Sequence, residues 1–268
     1  MTVLVSMPYY RVAEWVGDAV RSVLAQTHRD LICVVIGDGE EPPLSQITDS
    51  RLVVYTTPEN RGTYFATAVA LAACDTEWFS VHAADDWSEP DRLERLLAHG
   101  DGVDAVFGGS VQHQGRHVNP RPARFELGGD RPRHVGSVAT GIYRTQAIKS
   151  LGWWSHPEFR VGFDSMMVNL VIRHLRWVHV PDEFGYHRVI RANSLTRAPA
   201  TGLNSRYRRQ ASQHRAELWD MFKDAPTLMQ PDATLSSEVM EHSCRLSDLL
   251  RHEGSHHRSR RIHRVAPG

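Results

Sequence analysis

Two adjacent carboxylates, Asp85 and Asp86, follow the short apolar run Trp78 to Val81 and precede a proline-marked helix start. Neighbouring negative charges repel unless a cation shields them. Oxygen donors of this kind suit a hard divalent ion, Mg2+ or Mn2+, together with a bound diphosphate. The same pair also makes a good turn, because Asp favours turns and helix starts. Asp38 lies between Gly37 and Gly39 after a second apolar run, where a carboxylate either shapes a turn or accepts a hydrogen bond from a base N–H. Pro8 and Tyr10 close a third run, Val3 to Met7, and an aromatic ring there either stacks on a flat ligand or packs on a sheet edge.

These loops gain meaning from the elements that must hold them. Short β-branched runs alternate with helical patterns over the first hundred residues, the pattern of a parallel α/β sheet. Strands are expected over Val3 to Met7, with Pro8 ending the first, over Leu31 to Ile36, Leu52 to Tyr55, Trp78 to Val81 and Asp104 to Phe107. Val12, Val16, Val20, Val23 and Leu24 share one helical face, and Thr63 to Cys74 is alanine-rich and helical. Ser88 with Asp91 resembles a capping box for a helix that buries Leu93, Leu96 and Leu97. Right-handed crossovers put the C-terminal ends of parallel strands on one edge, where ligands bind in open α/β sheets. All three candidate loops belong to that edge.

The rest of the chain is less regular. Residues 110 to 135 are rich in Gly, Pro, Arg and His and read as a long loop or irregular sheet edge. A helix near Asp164 to His174 and a strand from Trp177 to Val180 follow, then helices from about Leu203 to Phe222 and Leu235 to His252. The apolar positions Leu235, Val239, Leu246 and Leu249 serve either a homodimer contact or core packing. The final segment, from residue 251, carries five arginines against Glu253 and almost no apolar side chains.

Composition excludes several classes. The 268 residues are 41% hydrophobic and 23% charged, which rules out bulk disorder, and no apolar run approaches the length of a membrane span. The first residues enter a strand without a leader pattern, and three scattered cysteines do not suggest a disulfide framework. Both features fit a cytoplasmic protein. Lys plus Arg equals Asp plus Glu, at 31 each, so net charge does not point to nucleic acid.

Several segments in succession resemble family 2 glycosyltransferases of the GT-A fold. They are Val5-Ser6-Met7-Pro8-Tyr9-Tyr10, Ser22-Val23-Leu24-Ala25-Gln26-Thr27, Val35-Ile36-Gly37-Asp38-Gly39, Glu59-Asn60-Arg61-Gly62, and Ala84-Asp85-Asp86 with Pro90-Asp91-Arg92-Leu93 downstream. The resemblance implies a Rossmann-like, mostly parallel mixed sheet flanked by helices. Residues 1–110 would form the nucleotide-sugar half, 111–200 the acceptor and catalytic half, and 201–268 a C-terminal helical extension with a basic tail. It also implies roles. Pro8, Tyr10, Asp38, Arg61 and Asp85 would surround the nucleotide, Asp86 would ligate the metal, and Asp164 would be the base that deprotonates the acceptor, where the residue type alone equally suits a helix N-cap. His187 would either substitute for a metal-site histidine that the family often carries nearby or be a packed histidine. His134, Thr140 and Trp154 would line the acceptor side. Gly37 stands where the family has an Asp, Arg11 where it has an Asn, and Phe163 where it often has a Glu.

The reaction so implied is an inverting, metal-dependent transfer of a sugar from a nucleotide-sugar, UDP-linked, to a hydroxyl on a carbohydrate, lipid-linked, small-molecule or nucleic-acid acceptor. Two other classes compete. A nucleotidyltransferase would open on a glycine-rich phosphate loop, which Met7-Pro8-Tyr9-Tyr10-Arg11 is not. A nucleic-acid-binding protein, or a DNA-modifying transferase acting on a hydroxymethylated base, would use Arg206, Arg208, Arg209 and the basic tail.

Overall fold

The computed structural model describes residues 1–126, 133–135, 137–152, 160–224 and 233–253. Its first half interleaves strands and helices: β1 (Val3–Tyr9), α1 (Ala13–Leu24), β2 (Leu31–Asp38), β3 (Leu52–Thr57), α2 (Thr63–Ala73), β4 (Trp78–Val81), β5 (Trp87–Ser88), α3 (Arg92–Leu97) and β6 (Ala105–Phe107). Then come β7 (Ser110–Gln114), β8 (His117–Arg121), β9 (Arg124–Glu126), β10 (Arg133–Val135), a 3-10 turn at Val138–Thr140, β11 (Gly141–Arg144) and α4 (Thr145–Ser150). The last elements are α5 (Asp164–His174), β12 (Trp177–His179), β13 (Tyr186–Val189), α6 (Arg206–Phe222) and α7 (Ala233–Glu253).

Seven strands form the main sheet in the order β12-β6-β11-β4-β1-β2-β3. All neighbours run parallel except β11, which is antiparallel to both β4 and β6. A second sheet, β5-β13-β7-β8, stands beside the end of β4, and β9 pairs with β10. The apolar runs of β1, β2 and β4 are buried along nearly their whole length, as strands covered on both faces must be. On α1 the buried residues are Val16, Ala19, Val20, Val23 and Leu24, the stripe that helical spacing predicts. Helix α2 is buried at Phe65 through Leu71 because the sheet covers one side and α7 the other.

Four details differ from the sequence expectation. Pro8 lies inside β1 rather than ending it. The Ser6 carbonyl accepts from His82 N–H on the β4 side, and Pro8, two residues on, faces the same side beyond the end of β4. Its missing N–H therefore breaks no ladder bond. The Gly-Asp-Gly turn is displaced, since β2 runs through Asp38 and the chain reverses at Gly39, whose φ of +78° favours glycine. Ser88 does not cap α3. It belongs to β5, its N–H donates to Ser22 Oγ and its hydroxyl meets His82 Nε2, while Asp91 precedes the helix without a side-chain cap. Residues 110–121, expected as a long loop or an irregular sheet edge, form the regular β7–β8 hairpin, with β8 on the edge of its sheet and exposed along its length, which explains its polar composition.

The C-terminal extension joins the core. Trp219 of α6 and Val239 and Leu246 of α7 are buried in one cluster with Tyr55, Phe65 and Leu71, and Leu249 packs against it. Each such aliphatic side chain contributes roughly 1.5–3 kcal/mol when fully buried. Of the α7 positions that suggested either a dimer contact or core packing, Val239, Leu246 and Leu249 thus pack within the chain.

Candidate active site

The parallel strands deliver the N-terminal candidate residues to one edge, as the topology requires. Tyr10 follows β1 and is 40% exposed, with the Arg11 guanidinium 4.9 Å from its ring centre. Arg11 adopts φ 53°, a left-handed conformation that Asn or Gly takes more readily. Tyr9 points the other way, into the core, and its hydroxyl donates to Glu40.

Asp86 is the best-held carboxylate of this edge. It is buried, with Oδ2 accepting from the Tyr186 hydroxyl at 2.8 Å and Oδ1 from the Val189 N–H at 2.8 Å. Burial first, and the Asp85 charge second, raise its pKa to about 7 despite these donors. Tyr186 is itself fixed from two sides. Its oxygen accepts from Ala83 N–H at 3.1 Å, and the buried Arg92 guanidinium lies over its ring at 5.1 Å. His82 packs edge-on to the same ring and stays neutral, its pKa pushed down to about 3 by burial. Asp85 pairs with Arg191 through both Nε and Nη2. Arg188 acts electrostatically on Asp86 from the same strand, β13.

Among the described residues no group of three or more His, Cys, Asp or Glu side chains converges as a metal cage. The Asp85–Asp86 pair nevertheless fits a small divalent cation, which commonly takes one or two protein carboxylates and completes its shell with phosphate oxygens and water. A buried carboxylate whose pKa is raised by a carboxylate beside it is the environment such a cation would relieve.

His187 does not belong to this group. Residues alternate along β13, so Tyr186 faces Asp86 and His187 faces away. Its ring stacks on Trp87 at 3.6 Å, its Nδ1 meets His113 Nε2 at 2.8 Å, and its Nε2 meets Glu89 at 3.3 Å. Both ring nitrogens are engaged there, the arrangement of a packed histidine.

Asp38 and Arg61 also take other roles. The two Asp38 oxygens accept from the backbone N–H groups of Arg61 at 2.6 Å and Gly62 at 2.8 Å, so this buried carboxylate ties the loop before α2 to the end of β2. It is spent on the backbone rather than presented to a base. The Arg61 side chain runs outward to Glu238 of α7 at 2.6 Å and lies over the Phe65 ring. Thr140 is buried, and its hydroxyl donates to Ser137 O at 2.8 Å inside the 3-10 turn, so it does not line an acceptor surface. His134 falls on β10, and Trp154 lies outside the described residues.

Asp164 is the first residue of α5, directly after the N-cap residue Phe163. The helix N-terminus favours its negative charge. Oδ1 accepts from the Tyr64 hydroxyl at 3.3 Å, and the Tyr64 oxygen accepts from Phe163 N–H at 3.0 Å. Tyr64 sits two residues after Gly62, whose N–H binds Asp38, so one short segment links the end of β2 to Asp164. Neither Tyr64 nor Tyr186 stands out in the sequence. Tyr186 could have been found from strand alternation once β13 was known to pair with β5.

The mostly parallel sheet with one antiparallel strand, with Asp86 buried and Asp85 half-buried past β4, has the architecture of the GT-A fold. Comparison with known families identifies the chain more closely. The model described as Glycosyl transferase family 2 matches residues 4–195, and the chain belongs to that family and is a glycosyltransferase. Among solved structures it is similar to Staphylococcus aureus TarS 1–349 in complex with UDP, at a TM-score of 0.58 and 19% identity. That match covers 85% of this chain and 73% of TarS 1–349. The same TarS fragment with UDP-GlcNAc gives a TM-score of 0.59, 19% identity and coverage of 85% and 74%. No curated protein matches the chain significantly. Among the described residues, no helix is long and apolar enough to cross a membrane.

Proposed function

We propose that the protein transfers a sugar from a UDP-linked donor to an acceptor hydroxyl, with inversion at the anomeric carbon and with a divalent metal at Asp85 and Asp86. The buried Asp86, held by Tyr186 and Val189 beside Asp85, carries this reading. The TarS complexes with UDP and UDP-GlcNAc supply the donor class. Mn2+ or Mg2+ at this pair would provide Lewis acidity toward the leaving diphosphate.

The chain's own groups do the rest. Tyr186 and Val189 fix Asp86, and Arg188 and Arg191 place positive charge where a diphosphate would lie beside the acidic pair. Tyr10 offers an exposed ring to the base. Asp164, oriented by Tyr64, accepts the acceptor's hydroxyl proton as that oxygen bonds to the anomeric carbon and the sugar–phosphate bond breaks, releasing UDP. One base and no protein nucleophile give inversion, as attack from the face opposite the leaving group requires.

A screen of nucleotide-sugars for Mn2+-dependent thermal stabilisation and hydrolysis tests the donor class. UDP-sugars are expected to respond, and a protein that ignores them all is not the enzyme described here. Asp164→Asn should retain UDP binding by calorimetry and lose turnover by about 10²–10⁴-fold. Near-full activity in this variant removes Asp164 from the role of base.

A further inference from the structure

Arg92 is a cation buried where the fold gains little from a charge. It is the first residue of α3 and only 2% exposed, and its side chain bonds to a carbonyl, with Nη2 donating to Ala139 O at 2.7 Å in the 3-10 turn. Its Nε is buried without a hydrogen-bond partner among the described residues. Glu183, a carboxylate that acts on it electrostatically, is taken up by Arg95 Nε at 2.5 Å and by Gly185 N–H at 2.7 Å. A buried cation without a bonded carboxylate is costly, and an apolar side chain of similar volume would fill the space without that cost.

What the charge does meet is an aromatic ring. The guanidinium carbon lies 5.1 Å from the centre of the Tyr186 ring, within the range of a cation–π contact. Gly185 makes this approach possible. A Cβ there would lie 3.0 Å from Arg92 Cβ and 2.4 Å from Arg95 Nη2, so a larger residue would hold β13 away from α3. At its far end the same ring gives its O–H to Asp86 Oδ2 at 2.8 Å, and its oxygen accepts Ala83 N–H at 3.1 Å. His82, edge-on to the ring, is neutral and adds no second charge. Cation, ring, hydroxyl and carboxylate therefore stand in series. A cation over the ring draws electron density from the phenol and makes its O–H a stronger donor, and hydrogen-bonded groups in a dry interior polarise one another in the same sense.

We propose that Arg92 is a positioning residue for the transfer reaction. It pins the Tyr186 ring and strengthens the hydrogen bond to Asp86, so that this carboxylate is oriented before a divalent cation arrives. Arg92 itself acts only through Tyr186. This deepens the transferase reading and rests on Asp85 and Asp86 as the metal carboxylates.

The test measures Mn2+ binding to the full chain in saturating UDP, from the EPR signal of free Mn2+, for wild type, Arg92→Met, Tyr186→Phe and the double variant. Arg92→Met should weaken Mn2+ binding about tenfold, the lower end of what losing an outer-shell partner costs, and Tyr186→Phe at least as much. Once the Tyr186 hydroxyl is gone, Arg92→Met should weaken binding no further, because the arginine acts through that group. Arg92→Lys, which keeps a charge beside the ring, should recover part of the loss. Melting in chelator supplies the control: Arg92→Met should not lower Tm, since an unpaired buried charge has been removed. Should Arg92→Met fail to fold, Arg92→Lys takes its place in the cycle, with a loss of about threefold expected when the Tyr186 hydroxyl is present and none when it is absent. A lowered Tm with wild-type Mn2+ affinity marks a merely structural arginine and overturns the proposal. So does a loss of equal size with and without the Tyr186 hydroxyl. Wild-type protein that takes up no Mn2+ refutes the metal reading itself, a result distinct from any difference among the variants.

Discussion

Replacing Asp86 by Asn should make the metal-free protein more stable at pH 8 while destroying its function. Burial and the Asp85 charge lift the Asp86 pKa from the ordinary 3.8 to about 7. A raised carboxylate pKa means that the ionised form is disfavoured in the fold. The wild type is therefore unaffected by this term below pH 4, loses stability as pH rises toward 7, and carries the full penalty above it. At about 1.4 kcal/mol per unit, the penalty is about 4 kcal/mol at most. Asn keeps one acceptor but cannot serve both Val189 N–H and the Tyr186 hydroxyl, which costs about 1–2 kcal/mol. A net gain of about 2–3 kcal/mol remains, or a rise in Tm of roughly 4–12 °C for a domain of this size. Melting in chelator between pH 4 and 8 measures it. The advantage of Asn should be largest at pH 8 and shrink through pH 6 to pH 5. A variant no more stable than wild type at pH 8, or a difference that does not vary with pH, refutes the reasoning.

Three further outcomes follow from the geometry. His187→Gln should leave Mn2+-dependent UDP binding unchanged in calorimetry, because the ring faces Trp87, His113 and Glu89; loss of metal dependence would return His187 to the metal site. Arg61→Ala should cost less than about 1 kcal/mol in denaturant melts and leave UDP affinity unchanged, since its partner is the partly exposed Glu238. Leu246→Ala should destabilise the monomer by about 2–5 kcal/mol without a change in oligomeric state by light scattering.

Strand and helix positions in the first half were legible because fully covered strands and one-sided helices carry opposite apolar periods. Trp78 to Val81 and the α1 stripe match the sequence reading closely. The acidic pair was legible for a different reason, since nothing in the β4–α3 connection requires two adjacent charges. What stayed hidden was side-chain direction. Asp38 and a base-binding carboxylate look alike in a Gly-Asp-Gly string, and only the approach of Arg61 and Gly62 N–H across 23 and 24 residues separates them. His187 and Tyr186 are neighbours in sequence, yet strand pairing sends them to opposite faces. Arg61 was drawn away by Glu238, a long-range partner that no local pattern announces. The Ser88–Asp91 pair shows the converse, a local capping signal overridden when Ser88 was recruited into β5.

The seating of α7 against α2 has a consequence for how the molecule comes into being. Tyr55 meets His242 across 187 residues of chain, and the face of α2 that α7 covers is otherwise apolar. During synthesis the N-terminal strands and helices emerge first, and that greasy flank stays bare until the distant helix arrives. The order of translation therefore exposes an aggregation-prone intermediate, and a chain cut before α7 would be stranded in it.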